Sequence, residues 1–280
     1  MITRTTTAPD GATLGWYSIG SGPGLLILHG AMESAVSHRE LAEALSDQFT
    51  VHLLDRRGRG LSGPYPAPGV PQSEVDDVRA VLAATETSQV FGVSSGAIVA
   101  LEAAAFVKKA AIFEPPIFSS AAVPAAALAR LDASLAAGEV VDALVTGMLA
   151  AEMGPAFLRR VPRPVLRSLT ALGVRADARR AGVDGHVPMG ELGRLLHYDF
   201  ALSAQASGQF DRYAGITAEV LLLNGTRSPA YLRESVASLA RVLPSARHVQ
   251  LDGLDHGASG NADRRGKPGV VASVLRDFFG

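Results

Sequence analysis

Val90-Phe91-Gly92-Val93-Ser94-Ser95-Gly96-Ala97 joins two different kinds of sequence. Before it runs the short apolar stretch Ser88 to Val93, composed like a fully buried parallel strand. After it, Gly96 to Val107 is Ala-rich and favours helix. Ser94 sits between the two in a Gly-x-Ser-x-Gly frame. A strand that turns at once into a helix strains its turn residue, and a Cβ at Gly92 or Gly96 would meet the neighbouring chain. The helix N-terminus behind Ser94 leaves backbone N–H groups free to meet a developing negative charge. The frame predicts an exposed, nucleophilic Ser94 rather than a plain Gly/Ser turn.

Working outward, further apolar runs bounded by Gly, Pro or Asp read as buried strands: Gly24 to His29, Thr50 to Asp55, Lys108 to Phe113, Glu219 to Asn224 and Arg247 to Leu251. Helical stretches lie between them, with Leu41 and Leu45 four apart and Val75, Val78 and Leu82 on one stripe. Strands alternating with helices predict an α/β fold with a mostly parallel, doubly wound sheet and helices on both faces. Ile2 to Thr7 and Ala12 to Ile19 flank Pro9-Asp10-Gly11 and read as an antiparallel hairpin at the sheet edge. From about Pro116 to Ala214 the alternation stops, and the chain becomes Ala- and Leu-rich with Gly-Pro interruptions. The expected organisation is a core of residues 1–115 and 215–280 with a helical cap inserted over 116–214. That insertion holds ten arginines and nine acidic residues, with Arg159, Arg160, Arg163, Arg167, Arg175, Arg179 and Arg180 clustered. A solvated helix face is the preferred reading of the cluster over an anion-binding lid.

Composition narrows the function. Of 280 residues 48% are hydrophobic and 19% charged, with a formal net charge of −1, which offers no footprint for nucleic acid. Cysteine is absent, which removes disulfides, thiolate catalysis and Cys-ligated metals. The N-terminus lacks a signal-peptide pattern, and the longest apolar runs are too short or broken to span a bilayer. A cytoplasmic protein is expected.

The motifs, in their order, resemble those of the α/β-hydrolase superfamily over nearly the whole chain, and its small serine esterases and lactonases in particular. Leu26-Ile27-Leu28-His29-Gly30 resembles the strand and His-Gly turn that opens the oxyanion loop. The resemblance implies oxyanion N–H groups from Ala31 and Ser95, with His29 a satisfied turn histidine and not a base. Asp55-Arg56-Arg57-Gly58-Arg59-Gly60-Leu61-Ser62 is similar to the family's Asp-x-Arg-Gly-x-Gly-x-Ser turn, a structural element and not a basic tract for RNA.

Of seven histidines, His256 stands in a loop directly after the last strand, in the Gly-x-x-His context where the family keeps its general base. The acid departs from the common pattern. In Gly225-Thr226-Arg227-Ser228 the expected Asp is a serine, which cannot balance an imidazolium. Glu114 ends the strand after the elbow helix, at the sheet edge where catalytic groups collect. It is the expected acid, with Asp252 and Asp255 as competitors.

The resemblance therefore implies a serine hydrolase acting on a carboxylic ester or lactone, with Ser94, His256 and Glu114 catalytic. Two alternatives stay open: acyl transfer, C–C cleavage or cyclisation on the same triad, and a catalytically idle small-molecule-binding homologue. No cofactor and no metal are expected. The partner is a small-molecule substrate, not nucleic acid and not a membrane, and a homodimer stays open.

Overall fold

The computed structural model describes residues 1–66 and 71–280. Its chain order is β1 (Ile2–Thr7), β2 (Thr13–Ile19), β3 (Gly24–Leu28), α1 (Arg39–Leu45), β4 (Thr50–Asp55), α2 (Pro71–Ala84), β5 (Gln89–Val93), α3 (Ser95–Ala103) and β6 (Lys109–Phe113). Five helices follow, α4 (Ala122–Ala136), α5 (Val140–Ala150), α6 (Arg163–Asp177), α7 (Met189–Gly193) and α8 (Leu196–Ala206). The chain then returns through β7 (Glu219–Gly225), α9 (Ala230–Val242), β8 (Arg247–Leu251) and α10 (Pro268–Phe279).

The sheet order is β1-β2-β4-β3-β5-β6-β7-β8. β1 and β2 form the edge hairpin, β2 runs antiparallel to β4, and every pairing beyond is parallel. The hairpin turns where Gly11 takes a φ of +88°. Asp10 steadies that turn by accepting the Ala12 N–H. Strand boundaries fall within a residue or so of the sequence reading. The elbow helix differs more: α3 starts at Ser95 and stops at Ala103, because the chain turns at Ala104 to Phe106 to bring Lys108 to the next strand.

Parallel strands are apolar throughout because both faces are covered. Leu26 and Leu28 pack with α2, α3, α8 and α9 residues on one face. Leu25 and Ile27 pack with α1 and α10 residues on the other. A third, smaller cluster, Leu131, Ala143, Leu144 and Leu196, lies within the inserted helices and contacts Ala31 and Met32. Register then determines what meets at the carboxyl edge. Val93 pairs with Phe113, Phe113 with Leu223, and Gly225 with Leu251. The residues that follow these strand ends, Ser94, Glu114 and the loop carrying His256, emerge side by side. Among the described residues no helix is long and apolar enough to cross a membrane.

Candidate active site

Ser94 caps α3 with φ 55° and ψ −123°, a conformation that L-residues avoid and that tight packing must enforce. The flanking glycines show what enforces it. A Cβ on Gly92 would lie 2.5 Å from the Gly96 carbonyl oxygen, and one on Gly96 would lie 2.4 Å from the His29 carbonyl oxygen. The Ser94 N–H donates to the Phe113 carbonyl at 2.9 Å, fixing the turn against β6.

Glu114 is fully buried and also adopts a positive φ, of 49°. Its Oε1 accepts the Gly225 N–H at 2.7 Å, and its Oε2 lies 2.6 Å from His256 Nδ1. A carboxylate only accepts, so Nδ1 carries a proton, and in the neutral ring the lone pair is on Nε2. Gly225 is needed for this approach, since a Cβ there would sit 2.3 Å from the Leu254 carbonyl oxygen of the histidine loop. The competing acids are engaged elsewhere: Asp252 accepts the Thr226 hydroxyl, and Asp255 accepts the Gly257 N–H. Ser228 is buried, and its hydroxyl has no hydrogen-bond partner among the described residues.

Ser94 and His256 line one cavity of about 760 Å³, together with Ala31, Ser95 and mainly apolar side chains such as Phe118, Leu144, Met148 and Phe200. Among the described residues the Ser94 hydroxyl makes no hydrogen bond.

His29 is satisfied, as expected. Its Nδ1–H donates to the Gly30 carbonyl at 2.9 Å and its Nε2 accepts the Arg56 N–H at 3.2 Å. Burial, reinforced by Arg59 and Arg56, holds its pKa well below the ordinary histidine value and keeps the ring neutral.

Sequence reasoning missed two buried polar assemblies beside the cavity. The first is centred on Arg56, which is gripped bidentately by Glu74 at 2.6 and 2.8 Å. Its Nη1 also donates to the His29 carbonyl, to Ser95 Oγ and to Asp199 Oδ1. Asp199, on α8, accepts Arg59 as well at 2.7 Å and the Ser95 hydroxyl at 2.7 Å. Burial alone would raise the Asp199 pKa, but Arg59 and Arg56 outweigh it and lower it. The available signal was a lone carboxylate in the apolar stretch Leu195 to Leu202. The second assembly is His38 with Glu33. His38 Nε2 lies 3.1 Å from the Glu33 carboxylate and Nδ1 lies 2.9 Å from the Ser259 carbonyl. Both ring nitrogens face acceptors, so the ring is an imidazolium. Burial opposes that charge, but Glu33 outweighs it and raises the His38 pKa. Glu33 in turn accepts the Gly30 N–H at 2.7 Å, so the pair ties the loop before Ala31 to the loop after His256.

Residues 25–267 match the model of the alpha/beta hydrolase family. The chain belongs to the alpha/beta hydrolase family. As such it is an enzyme, a hydrolase. An alpha/beta hydrolase from Sphaerobacter thermophilus shares 32% identity, with a TM-score of 0.77, over 99% of this chain and 100% of that one. A 2-(acetamidomethylene)succinate hydrolase from Mesorhizobium japonicum is 26% identical over 87% of this hydrolase and 85% of its own length. The enol-lactonase of Burkholderia xenovorans shares the fold, at 18% identity and a TM-score of 0.68, over 99% of each chain.

Proposed function

We propose that this hydrolase cleaves a carboxylic ester or lactone through an acyl-enzyme on Ser94. The observation that carries the reading is the 2.6 Å contact between His256 Nδ1 and the buried Glu114 carboxylate, at the cavity that Ser94 also lines. Glu114 fixes the tautomer that leaves Nε2 as a base and balances the imidazolium once it forms. Ser94 Oγ attacks the carbonyl carbon as its proton passes to His256 Nε2, and the carbonyl electrons move onto oxygen. The N–H groups of Ala31 and Ser95 stabilise that oxyanion. Collapse expels the alkoxide, which takes the proton from His256; in a lactone it stays tethered to the acyl group. Water then attacks the acyl carbon, gives its proton to Nε2, and Ser94 leaves protonated. The residues inserted between β6 and β7 serve as a cap over the substrate, and a small molecule is the expected partner.

The apolar lining supports an acyl or lactone substrate of modest size, in the range that such cavities enclose. Hydrolases among the relatives, and an enol-lactonase with the same fold, are consistent with it. The test is labelling with a fluorophosphonate followed by an ester and lactone panel. Labelling is expected at Ser94, lost in Ser94→Ala and kept in Ser95→Ala. The reverse pattern would show that the elbow register is wrong.

A further inference from the structure

The arginine cluster of the insertion acquires a partner once its surroundings are seen. Helix α6 shows solvent a stripe of Val165, Leu169 and Leu172, spaced at i, i+4 and i+7 and 48%, 58% and 60% exposed. Phe157 at 61%, Val123 at 58% and Met153 at 46% extend the apolar surface beyond the helix. Val123, Met153 and Leu169 also line the cavity that holds Ser94, so this surface forms its mouth. Scattered exposed apolar residues are ordinary, but a contiguous patch continuous with a site marks what the site meets.

Charge identifies the partner. Residues 153–180 carry seven arginines against one aspartate, a net of six positive charges in a chain whose total is −1. Arg159 is paired with Glu152 and Arg167 with Asp142, whereas Arg160, Arg175, Arg179 and Arg180 make no ion pair among the described residues. A two-fold contact with a second copy would set this positive segment against itself. An apolar stripe rimmed by unpaired arginines fits an anionic lipid surface, with apolar side chains among acyl chains and guanidinium groups at headgroup phosphates. We propose that α6 and its flanks dock the protein on an anionic lipid surface, with the cavity mouth facing the bilayer. The expectation of no membrane came from the lack of a spanning segment, and a peripheral contact needs none. Docking itself does not depend on the proposed chemistry. Delivery of an apolar ester from lipid to Ser94 does rest on that reading.

The test is flotation of the full chain with vesicles of phosphatidylcholine alone, or with about 30% phosphatidylglycerol, at low salt and at 0.5 M NaCl. Binding is expected only with phosphatidylglycerol and should fall at least tenfold at high salt. The Val165→Ser/Leu172→Ser variant and the Arg175→Gln/Arg179→Gln/Arg180→Gln variant should each weaken it at least tenfold. All these residues are exposed and outside the cavity lining, so turnover of a short soluble ester should not change. Ser94→Ala should bind vesicles normally, which separates failure of docking from failure of the hydrolase reading. Absence of phosphatidylglycerol-dependent binding, or binding unaffected by both variants, would overturn the proposal. So would concentration-dependent dimerisation that the same variants abolish, which would make the face a contact between copies.

Discussion

At the scale of single residues, Glu114 and His38 show how one histidine–carboxylate geometry serves two ends. His256 meets Glu114 with one nitrogen and keeps the other free, whereas His38 spends both. Replacing Glu114 by Gln keeps the shape but removes the charge that, in the proposed mechanism, balances the imidazolium of His256. Turnover should drop by about 10⁴ with little change in melting temperature. Asp252→Asn and Asp255→Asn should turn over near normally, and collapse in either would move the acid to the histidine loop. His38→Gln leaves Glu33 without its counter-charge. Since the Glu33 side chain is 21% exposed, the cost should be about 2 kcal/mol rather than the full buried-pair penalty. The sign of the pH dependence follows from both partners. The raised His38 contributes fully below its ordinary value of 6.5, and the contribution fades as pH rises through its raised value. Burial alone would raise Glu33, but the imidazolium of His38 outweighs it and lowers it; its contribution is full above its ordinary 4.5 and fades as pH falls through the lowered value. The stability gap between wild type and His38→Gln should therefore be widest between about pH 4.5 and 6.5 and narrow in alkali. A gap constant from pH 5 to 9 in denaturant unfolding would mean that His38 is not held charged.

At the scale of elements, the β5–α3 turn is governed by backbone contact. The Cβ of Gly96→Ala would press on carbonyl oxygens of Leu28 and His29, which belong to β3 and the turn that follows it and cannot swing aside. The substitution should cost several kcal/mol, on the scale of overpacking a core, and lower the melting temperature by 5 °C or more. Gly269, in the first turn of α10, has open space where a Cβ would go. Gly269→Ala should instead stabilise by about 0.5 kcal/mol, by removing unfolded-state freedom. The sequence frame marks Gly92 and Gly96 as places where a Cβ would meet the neighbouring chain; that the atoms facing Gly96 belong to Leu28 and His29, nearly seventy positions away, only the tertiary structure gives. The inserted helices were equally unequal in legibility. Their helical character is plain from Ala and Leu content, but the division into five helices follows from packing around Leu131, Leu144 and Leu196.

At the scale of the molecule, Asp199 joins the inserted helices to the sheet. It holds Arg56 and Arg59 from the β4 turn and the hydroxyl of Ser95, the residue after the candidate nucleophile. Both arginines are buried, so Asp199→Asn leaves excess positive charge without solvent. Unfolding free energy should fall by about 3 kcal/mol, and ester turnover should fall with it as α8 loosens over Ser95. Equal stability of Asp199→Asn and wild type in denaturant titration would show that apolar packing alone holds the insertion.

By itself the sequence determined the sheet-forming runs, the edge hairpin, the strained seat of Ser94 and the loop position of His256. Each of these is written in periodicity or turn chemistry within a few residues. Glu114 was legible in part, as a lone carboxylate ending an apolar strand, and Ser228 sharpened it by standing where a carboxylate is usual. Only the tertiary structure selected Glu114 over Asp252 and Asp255 as the partner of His256, a contact across 142 positions. It alone joined Arg56 to Asp199 across 143 positions and His38 to Ser259 across 221. The physical reason is that hydrogen bonds and ion pairs are made through space. With 27 acidic and 26 basic side chains in the chain, pairing is decided by strand register and helix packing, which no local pattern records.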